Sequence, residues 1–182
     1  GEYRVEMAAT AVGALLESQT VHPWTRGQAL LSLSHIKGKV DPTVFGKWVA
    51  HEHPAIRSSA AEVLETYGGN SAVTWIKILL KDPDLSVRCH AAAAHAKRNK
   101  AAAWNIVDPL TLDPAISTAR ASARALAFTG TAEAYARLTT QISQPGLMRE
   151  SLRGIRSIED PQLIPILLNL LPNLEETHLN YG

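Results

Sequence analysis

The chain has 182 residues and a formal net charge of +1, with 46% hydrophobic, 19% charged and 5% aromatic residues. This length suits one domain with a sizeable core, and the near-neutral charge excludes a bulk electrostatic argument for binding nucleic acid or a membrane surface. Because aromatic residues are scarce, the core must consist mainly of Ala, Leu, Ile and Val, which favours helices. The single cysteine, Cys89, excludes an internal disulfide, and its Ala-rich surroundings predict a buried apolar side chain.

Prolines and glycines divide the chain into segments of helical length, and no segment alternates apolar and polar residues as a half-buried strand would. No apolar run approaches the roughly 18 residues that cross a bilayer. We therefore predict an all-α protein whose helices pair along the chain. The predicted pairs are 3–19 with 23–36, 41–51 with 54–67, 70–81 with 84–98, 100–112 with 114–129 and 131–143 with 146–158, followed by a helix over 160–171.

Capping residues mark several of these helix starts. Asp41 and Asp160 each precede a proline, which predicts an N-cap carboxylate followed by proline at the first helical position. Thr131 is followed by Glu133, an acidic residue in a first turn, where it favours the helix dipole.

A short pattern recurs with a period of 31 residues. Its copies read PWTRGQALLSL, PAIRSSAAEVL and DLSVRCHAAAA, and they place arginines at Arg26, Arg57 and Arg88. Residues three, four and seven positions after each arginine share one helical face, where two small or apolar residues come before a larger one. Self-similarity at a fixed period is typical of repeat proteins, so we predict a stack of helical hairpins.

The segment GNSAVTWIKILLKDPDLSVRCHAAAA, residues 69–94, resembles a HEAT repeat of the short kind also seen in bilin lyases. It joins a first helix ending in Leu79-Leu80 to an Asp-Pro turn, a Val-Arg pair and a small-residue helix, and DPQLIPILLNLL from Asp160 resembles the family's first helix. The resemblance implies an armadillo-like α-solenoid, a right-handed α–α superhelix of about five helical hairpins plus a further helix. It covers residues 1–182 as one domain, which we expect to be a fragment of a longer protein or to have a covered end.

The resemblance also implies a structural role for the repeated arginine. In such repeats it bonds to an acidic residue or a carbonyl of a neighbouring inter-helix turn, a task that suits the five donors of a guanidinium. Asp41 and Asp82 are the candidate acceptors. The fourth hairpin departs from the pattern, because Ser117 stands where the arginine is expected, whereas Arg149 restores it in the fifth.

No residue pattern predicts catalysis or a cofactor. His51-Glu52-His53 falls in a turn without an identifiable third ligand, and His90 and His95 lie five residues apart rather than the four typical of helical metal pairs. We expect surface or semi-buried histidines, with His95 partly buried and its ring hydrogen-bonded. We therefore predict no metal, no cofactor and no enzymatic activity. A dispersed site of the lyase or hydroxylase kind found among HEAT-like enzymes stays the third alternative.

Basic residues concentrate in the second half of the chain, where ten basic and four acidic residues lie between Arg88 and Arg156. Helical spacing predicts two stripes on second helices, formed by Arg120 and Arg124 and by Arg149, Arg153 and Arg156. In HEAT-like solenoids the second helices line the concave face, so we predict a basic patch there that binds an acidic protein segment or phosphates, or is simply solvated. Four tryptophans are expected in packing faces away from these arginines: Trp24, Trp48, Trp75 and Trp104.

The leading functional hypothesis is a non-catalytic scaffold that binds a protein partner through its concave face. The five arginines of the two stripes are its candidate contacts. Nucleic-acid binding through the same patch is the alternative. The chain is expected to be cytoplasmic and not membrane-bound. The apolar C-terminal helix, LIPILLNLL from Leu163, predicts either self-association or a tail packed over that helix.

Overall fold

The computed structural model describes residues 2–37, 42–67 and 69–169, with only the backbone described at 2–4, 37 and 42–44. Within these ranges the chain forms α-helices joined by short turns, together with one 3₁₀ helix, Lys100–Ala103. None of these helices is long and apolar enough to cross a membrane. The α-helices are α1 Glu2–Glu17, α2 Pro23–Lys37, α3 Pro42–Val49, α4 Pro54–Val63, α5 Asn70–Leu79, α6 Leu85–Asn99, α7 Trp104–Leu110, α8 Ile116–Thr129, α9 Ala132–Ser143, α10 Pro145–Ile155 and α11 Leu163–Leu168.

The helices pair into five hairpins as the sequence predicts, and the all-α solenoid architecture is confirmed. The second helix of each hairpin packs beside the second helix of the next, so α2, α4, α6, α8 and α10 form one continuous layer. We call these the inner helices. Each inner helix is backed by the first helix of its own hairpin. The handedness of the superhelix stays a prediction.

Two core clusters fill the space between the layers. In the first, the fully buried Phe45 packs among aliphatic residues and against the rings of Tyr67 and Trp75, with centroids 5.7 and 5.0 Å away. The second is built largely from alanines of α6 and α8, which are completely buried. Because an alanine side chain projects only one carbon, these two helices approach closely, as the scarcity of aromatic residues predicts.

Helix α10 crosses α8 closely at Gly154. A Cβ atom placed on Gly154 would lie 2.4 Å from the carbonyl oxygen of Arg120. That oxygen belongs to the helix backbone and cannot move aside, so only glycine fits at this crossing.

In α4 and α6 the repeated arginine joins the inner helix to the turn before it. Arg57 donates from Nη1 to the carbonyl oxygens of His51 and Glu52, at 2.8 and 2.7 Å. Arg88 donates in the same way to the carbonyls of Asp82 and Pro83, at 2.7 and 2.9 Å. The equivalence of these bonds, 31 residues apart, shows that the period records a repeated backbone contact.

Arg57 also reaches the next hairpin. Its Nε and Nη2 atoms donate to the two carboxylate oxygens of Asp82 at 2.7 and 2.9 Å. Burial opposes ionisation of Asp82, but the hydrogen bonds from Arg57 and from the backbone of Asp84 outweigh it and lower its pKa. Asp82 is thus confirmed as an acceptor, whereas Asp41 lies outside the described residues. In the first hairpin, buried Arg26 donates to the carbonyl of Leu16 at 2.9 Å.

Arg149 does not continue this series, so the prediction that it restores the arginine is wrong. Arg26, Arg57 and Arg88 are each the fourth residue of an inner helix, whereas Arg149 is the fifth residue of α10. One residue turns the side chain by about 100° on a helix. Accordingly Arg149 is exposed, and it makes no hydrogen bond or ion pair with the residues that the structure describes.

The fourth hairpin is irregular, as its sequence predicts. Lys100 adopts a positive φ of 51°, unusual for a residue other than glycine, and the expected helix over 100–112 divides into the 3₁₀ turn and α7. Helix α8 begins at Ile116 rather than at 114, so buried Ala119 occupies the arginine's position instead of Ser117. At its other end, Gly130 terminates α8 in the left-handed conformation with a φ of 70°.

The cap predicted at Thr131 is present, whereas the cap predicted at Asp160 is not at the start of a helix. Thr131 accepts a hydrogen bond from the backbone N–H of Ala134 at 3.2 Å and caps α9 as expected. The carboxylate of Asp160 accepts from the N–H of Gln162 at 3.0 Å within a turn, and α11 begins only at Leu163. The prediction of a helix starting at Asp160 is therefore three residues early, and its expected end at 171 lies outside the described residues.

Candidate functional site

A groove of about 730 Å³ runs across the inner helices, and residues of all five line it. We call it the inner groove. Five of its lining residues have small side chains and lie in the first two turns of their helices, and we call them its floor. These floor residues are Ala55, Ser58 and Ser59 of α4, Ser86 of α6 and Ser117 of α8.

The groove residues follow the 31-residue period. The second residues of α2, α4, α6 and α8 all line it, and so do the sixth residues of α2, α4, α6 and α10. Positions two and six are four apart and share one helical face. The groove positions lie two residues before and two residues after the repeated arginine. The sequence period could therefore have located the groove.

Two large apolar side chains stand exposed at the groove. Trp24 is the second residue of α2 and is 62% exposed, and Ile116 is the first residue of α8 and is 63% exposed. The prediction that Trp24 lies in a packing face is therefore wrong, because the register position that holds Ala55 in α4 faces the groove rather than the core. Exposed apolar side chains in a concave site are typical of binding surfaces.

The other tryptophans pack as expected. Trp48 is 4% exposed, and Trp75 lies against the first core cluster. Trp104 is partly buried beneath the guanidinium of Arg137, whose central carbon lies 5.2 Å from the ring centroid.

Arg120, one of the predicted contacts, crosses the groove to an inner helix two places away. Its Nη2 donates to the carboxylate of Glu62 on α4 at 2.6 Å. Neighbouring packed helices lie about 8–10 Å apart, so α4 and α8 would be about 16–20 Å apart in a flat layer. Their direct contact over α6 indicates that the layer curves toward the groove, which supports a concave inner face.

Arg124 makes a second bridge of the same kind, but a buried one. Its Nε and Nη2 atoms donate to the two carboxylate oxygens of Glu65, with Nε–Oε1 at 3.0 Å, and its Nη1 donates to the carbonyl of Gly154 at 2.8 Å. The side chains of Arg124 and Glu65 are only 11% and 2% exposed. Burial opposes the charge of Arg124, but the hydrogen bonds to Glu65 outweigh it and raise the pKa of the guanidinium. We therefore assign Arg124 a structural role beneath the groove.

The arginines of α10 are arranged differently. Arg153 lines the groove and pairs with Glu150 at 2.7 Å on its own helix, with 49% of the arginine side chain exposed. Arg156 also lines the groove, is exposed, and has no ion pair or hydrogen-bonding side chain among the described residues. Arg149 stands outside the groove lining.

The five predicted arginines thus divide into three environments. Arg120, Arg153 and Arg156 meet in the groove, Arg124 is buried beneath it, and Arg149 lies elsewhere on α10. Two of the six excess positive charges between Arg88 and Arg156 are offset from outside that span, by Glu62 of α4 and by Glu65 just after it. The groove lining contains three arginines and the two carboxylates of Glu62 and Glu150.

His90 lies between the two bridges as the sixth residue of α6. Its Nδ1 atom is buried and without a hydrogen-bond partner in the described structure, with a Glu62 oxygen 4.0 Å away. Burial lowers the pKa of His90 to about 4, and the charges of Arg120 and Arg124 add to this effect against the attraction of Glu65. The ring is therefore neutral at pH 7. The His90 side chain is 13% exposed, so the residue is semi-buried as expected, and its Nδ1 atom is the part that is enclosed.

The other reactive side chains play structural parts. Burial raises the pKa of the Cys89 thiol to about 11, so Cys89 is a buried apolar residue as predicted. His95 is partly buried and its Nδ1 lies 3.2 Å from the amide nitrogen of Asn99, also as predicted. The ring nitrogens of His51 and His53 bond to nearby backbone N–H groups, and His53 thereby caps α4. No group of His, Cys, Asp or Glu able to hold a metal ion occurs in the part of the chain that the structure describes.

A smaller apolar cavity of about 320 Å³ lies at the C-terminal end of the described chain, between α10 and α11. Ile164 lines this cavity and is 57% exposed, whereas Leu163, which also lines it, is buried. Leu168, later on α11, is also 57% exposed. The predicted apolar helix end is present. Its occupant, whether a second copy or the tail, stays a prediction.

The comparisons with known proteins agree with this architecture. A family model for HEAT repeats matches residues 42–127, which span α3 to α8 and therefore the centre of the inner groove. No curated protein and no solved structure matches the chain. Residues 42–127 of this chain therefore carry HEAT repeats.

Proposed function

We propose that this chain is a non-catalytic scaffold that binds a segment of a protein partner in the inner groove. HEAT repeats typically mediate protein interactions. The observation that carries the proposal is the exposure of Trp24 and Ile116 in a groove whose floor is made of small side chains. Burying an apolar side chain of this size contributes about 1.5–3 kcal/mol, so the pair could anchor a partner.

The rest of the groove supports a protein partner over a nucleic acid. Nucleic-acid grooves combine uncompensated basic residues with several aromatic side chains that stack on bases. Here Arg120 is paired with Glu62, Glu150 adds a second negative charge, and Trp24 is the only aromatic side chain among the groove residues that the structure describes. Serine hydroxyls and the Gln28 amide can instead hydrogen-bond a peptide backbone.

Site-specific photo-crosslinking in cells tests this proposal. Benzoylphenylalanine replaces Ser117 in the groove, and in a matched protein it replaces Leu112, which is 65% exposed outside the groove. We expect a protein adduct from position 117 that is absent from position 112 and is lost when Trp24→Ala is added. The adduct is then identified by mass spectrometry.

Two results would overturn the proposal. Equal adducts from positions 117 and 112 would place partner binding outside the groove. An adduct at position 117 that nuclease removes and protease leaves intact would establish nucleic acid as the ligand instead.

A further inference from the structure

The three arginines that line the groove differ in how strongly each is already paired with a carboxylate of the protein. Arg120 faces Glu62, whose side chain is only 14% exposed, at 2.6 Å. Arg153 has only an exposed pair with Glu150 one turn earlier on α10, and such pairs contribute about 0.2–1 kcal/mol. Arg156 has no partner among the described residues. Two guanidinium groups, three residues apart, are therefore available to an incoming anion.

The apolar and basic parts of the groove lie within reach of one peptide. From the pair Glu62–Arg120 to the pair Glu65–Arg124, the residue numbers of both partners increase. The chain therefore runs in the same direction in α4 and in α8. Ile116 precedes Arg120 by four residues, a rise of about 6 Å. The backbone of Arg120 touches α10 at Gly154, the neighbour of Arg153.

An extended peptide advances about 3.3 Å per residue. A carboxylate two to four residues away from an apolar side chain would therefore span the distance from Ile116 to the arginines of α10. The carboxylates of Glu62 and Glu150 disfavour a densely charged ligand such as a run of phosphates, but tolerate one or two acidic groups placed at Arg153 and Arg156.

We propose that the inner groove selects linear peptides in which an Asp or Glu lies two to four residues from a large apolar residue. This inference rests on the proposed function and specifies the chemistry of its partner. The apolar side chain packs against Ile116, and the carboxylate receives hydrogen bonds from Arg153 and Arg156.

Selection from a random library tests the specificity directly. The purified chain is used to select phage that display random 12-residue peptides, and the enriched sequences are aligned. A selected peptide is then synthesised, with a second version in which its acidic residue is the corresponding amide. We expect the amide version to bind at least about tenfold more weakly by fluorescence polarisation, the value for one lost charge-assisted bond.

Three arginine variants give the control. Arg153→Glu and Arg156→Glu are each expected to weaken the acidic peptide about tenfold or more and to leave the amide version nearly unchanged. Arg149→Glu carries the same charge change on the same helix outside the groove, and it is expected to alter the affinity less than twofold. Because all three side chains are exposed, circular dichroism should show the same helix content in each.

The outcomes separate this inference from the function on which it rests. Enriched peptides without an acidic residue, or equal losses from Arg149→Glu and Arg156→Glu, would overturn it. The absence of any enriched peptide would also overturn it, and crosslinking at position 117 would then decide whether the groove binds a folded partner surface. Failure of both experiments would refute the binding role of the groove itself.

Discussion

The buried bridge between Glu65 and Arg124 offers a sharp test of how the inner layer is held together. Arg124 makes two bonds to the Glu65 carboxylate and one to the Gly154 carbonyl, and its guanidinium lies 5.3 Å from the Phe128 ring centroid. The change to make is Arg124→Met, which keeps much of the side-chain volume but removes the charge. Glu65, with its side chain only 2% exposed, would then be left without its partner.

The expected loss follows from this burial. Removing one partner of a buried ion pair costs about 3–5 kcal/mol, because the remaining charge cannot be solvated. Replacing both partners, as Glu65→Leu with Arg124→Met, removes the isolated charge and should recover most of that loss. The two single variants and the double variant form a cycle whose coupling energy should be about 2 kcal/mol or more.

Urea unfolding followed by circular dichroism at 222 nm measures these free energies. Arg153→Met is the matched control, because its pair with Glu150 is exposed and should contribute less than about 1 kcal/mol. The reasoning is refuted if Arg124→Met destabilises no more than Arg153→Met. It also fails if the double variant is as unstable as the worse of the two single variants.

Three further predictions follow from packing and burial. Gly154→Ala should destabilise by several kcal/mol in urea unfolding because its Cβ meets a helix backbone, whereas Gly146→Ala, with nothing within 4 Å, should change stability by less than about 1 kcal/mol. The pKa of His90 is lower in the folded chain than in the unfolded chain, so as the pH falls the unfolded chain binds a proton at this histidine at a higher pH than the folded chain does. Stability should therefore decrease by up to about 3 kcal/mol from near pH 6.5 to pH 4, and His90→Gln should lack this decrease. The Cys89 thiol should react with a disulfide reagent at pH 8 only after urea is added, and rapid reaction of the folded chain would contradict its burial.

The contacts within one hairpin and between successive hairpins were predictable from the sequence. Arg57 bonds to carbonyls five and six residues earlier, and Arg88 repeats this contact 31 residues later. The bond from Arg57 to Asp82 joins two successive hairpins. A periodic pattern records contacts within one unit or between successive units. The helix pairs could therefore be inferred from residue spacing, whereas the structural role of the repeated arginine was implied by the resemblance to HEAT repeats.

The bridges across the groove could not be inferred in this way. Glu62 and Arg120 are 58 residues apart and belong to hairpins that are not successive, so no periodic pattern connects them. Their contact depends on the curvature of the layer, which brings α4 and α8 within reach of each other over α6. Counting charges along the chain therefore overestimated the free positive charge of this face.

The double attachment of Arg57 bears on how such a chain can be lengthened or shortened. One guanidinium serves the turn before its own helix and the carboxylate of the following hairpin, so the boundary between units crosses a side chain rather than a loop. A recombination event that cuts in the loop between α4 and α5 would separate this arginine from Asp82, whereas cuts in the turns before α4 and after Asp82 would keep both contacts in one piece. At this boundary the module for duplication or domain grafting is therefore an inner helix together with the first helix of the next hairpin, out of step with the hairpins themselves.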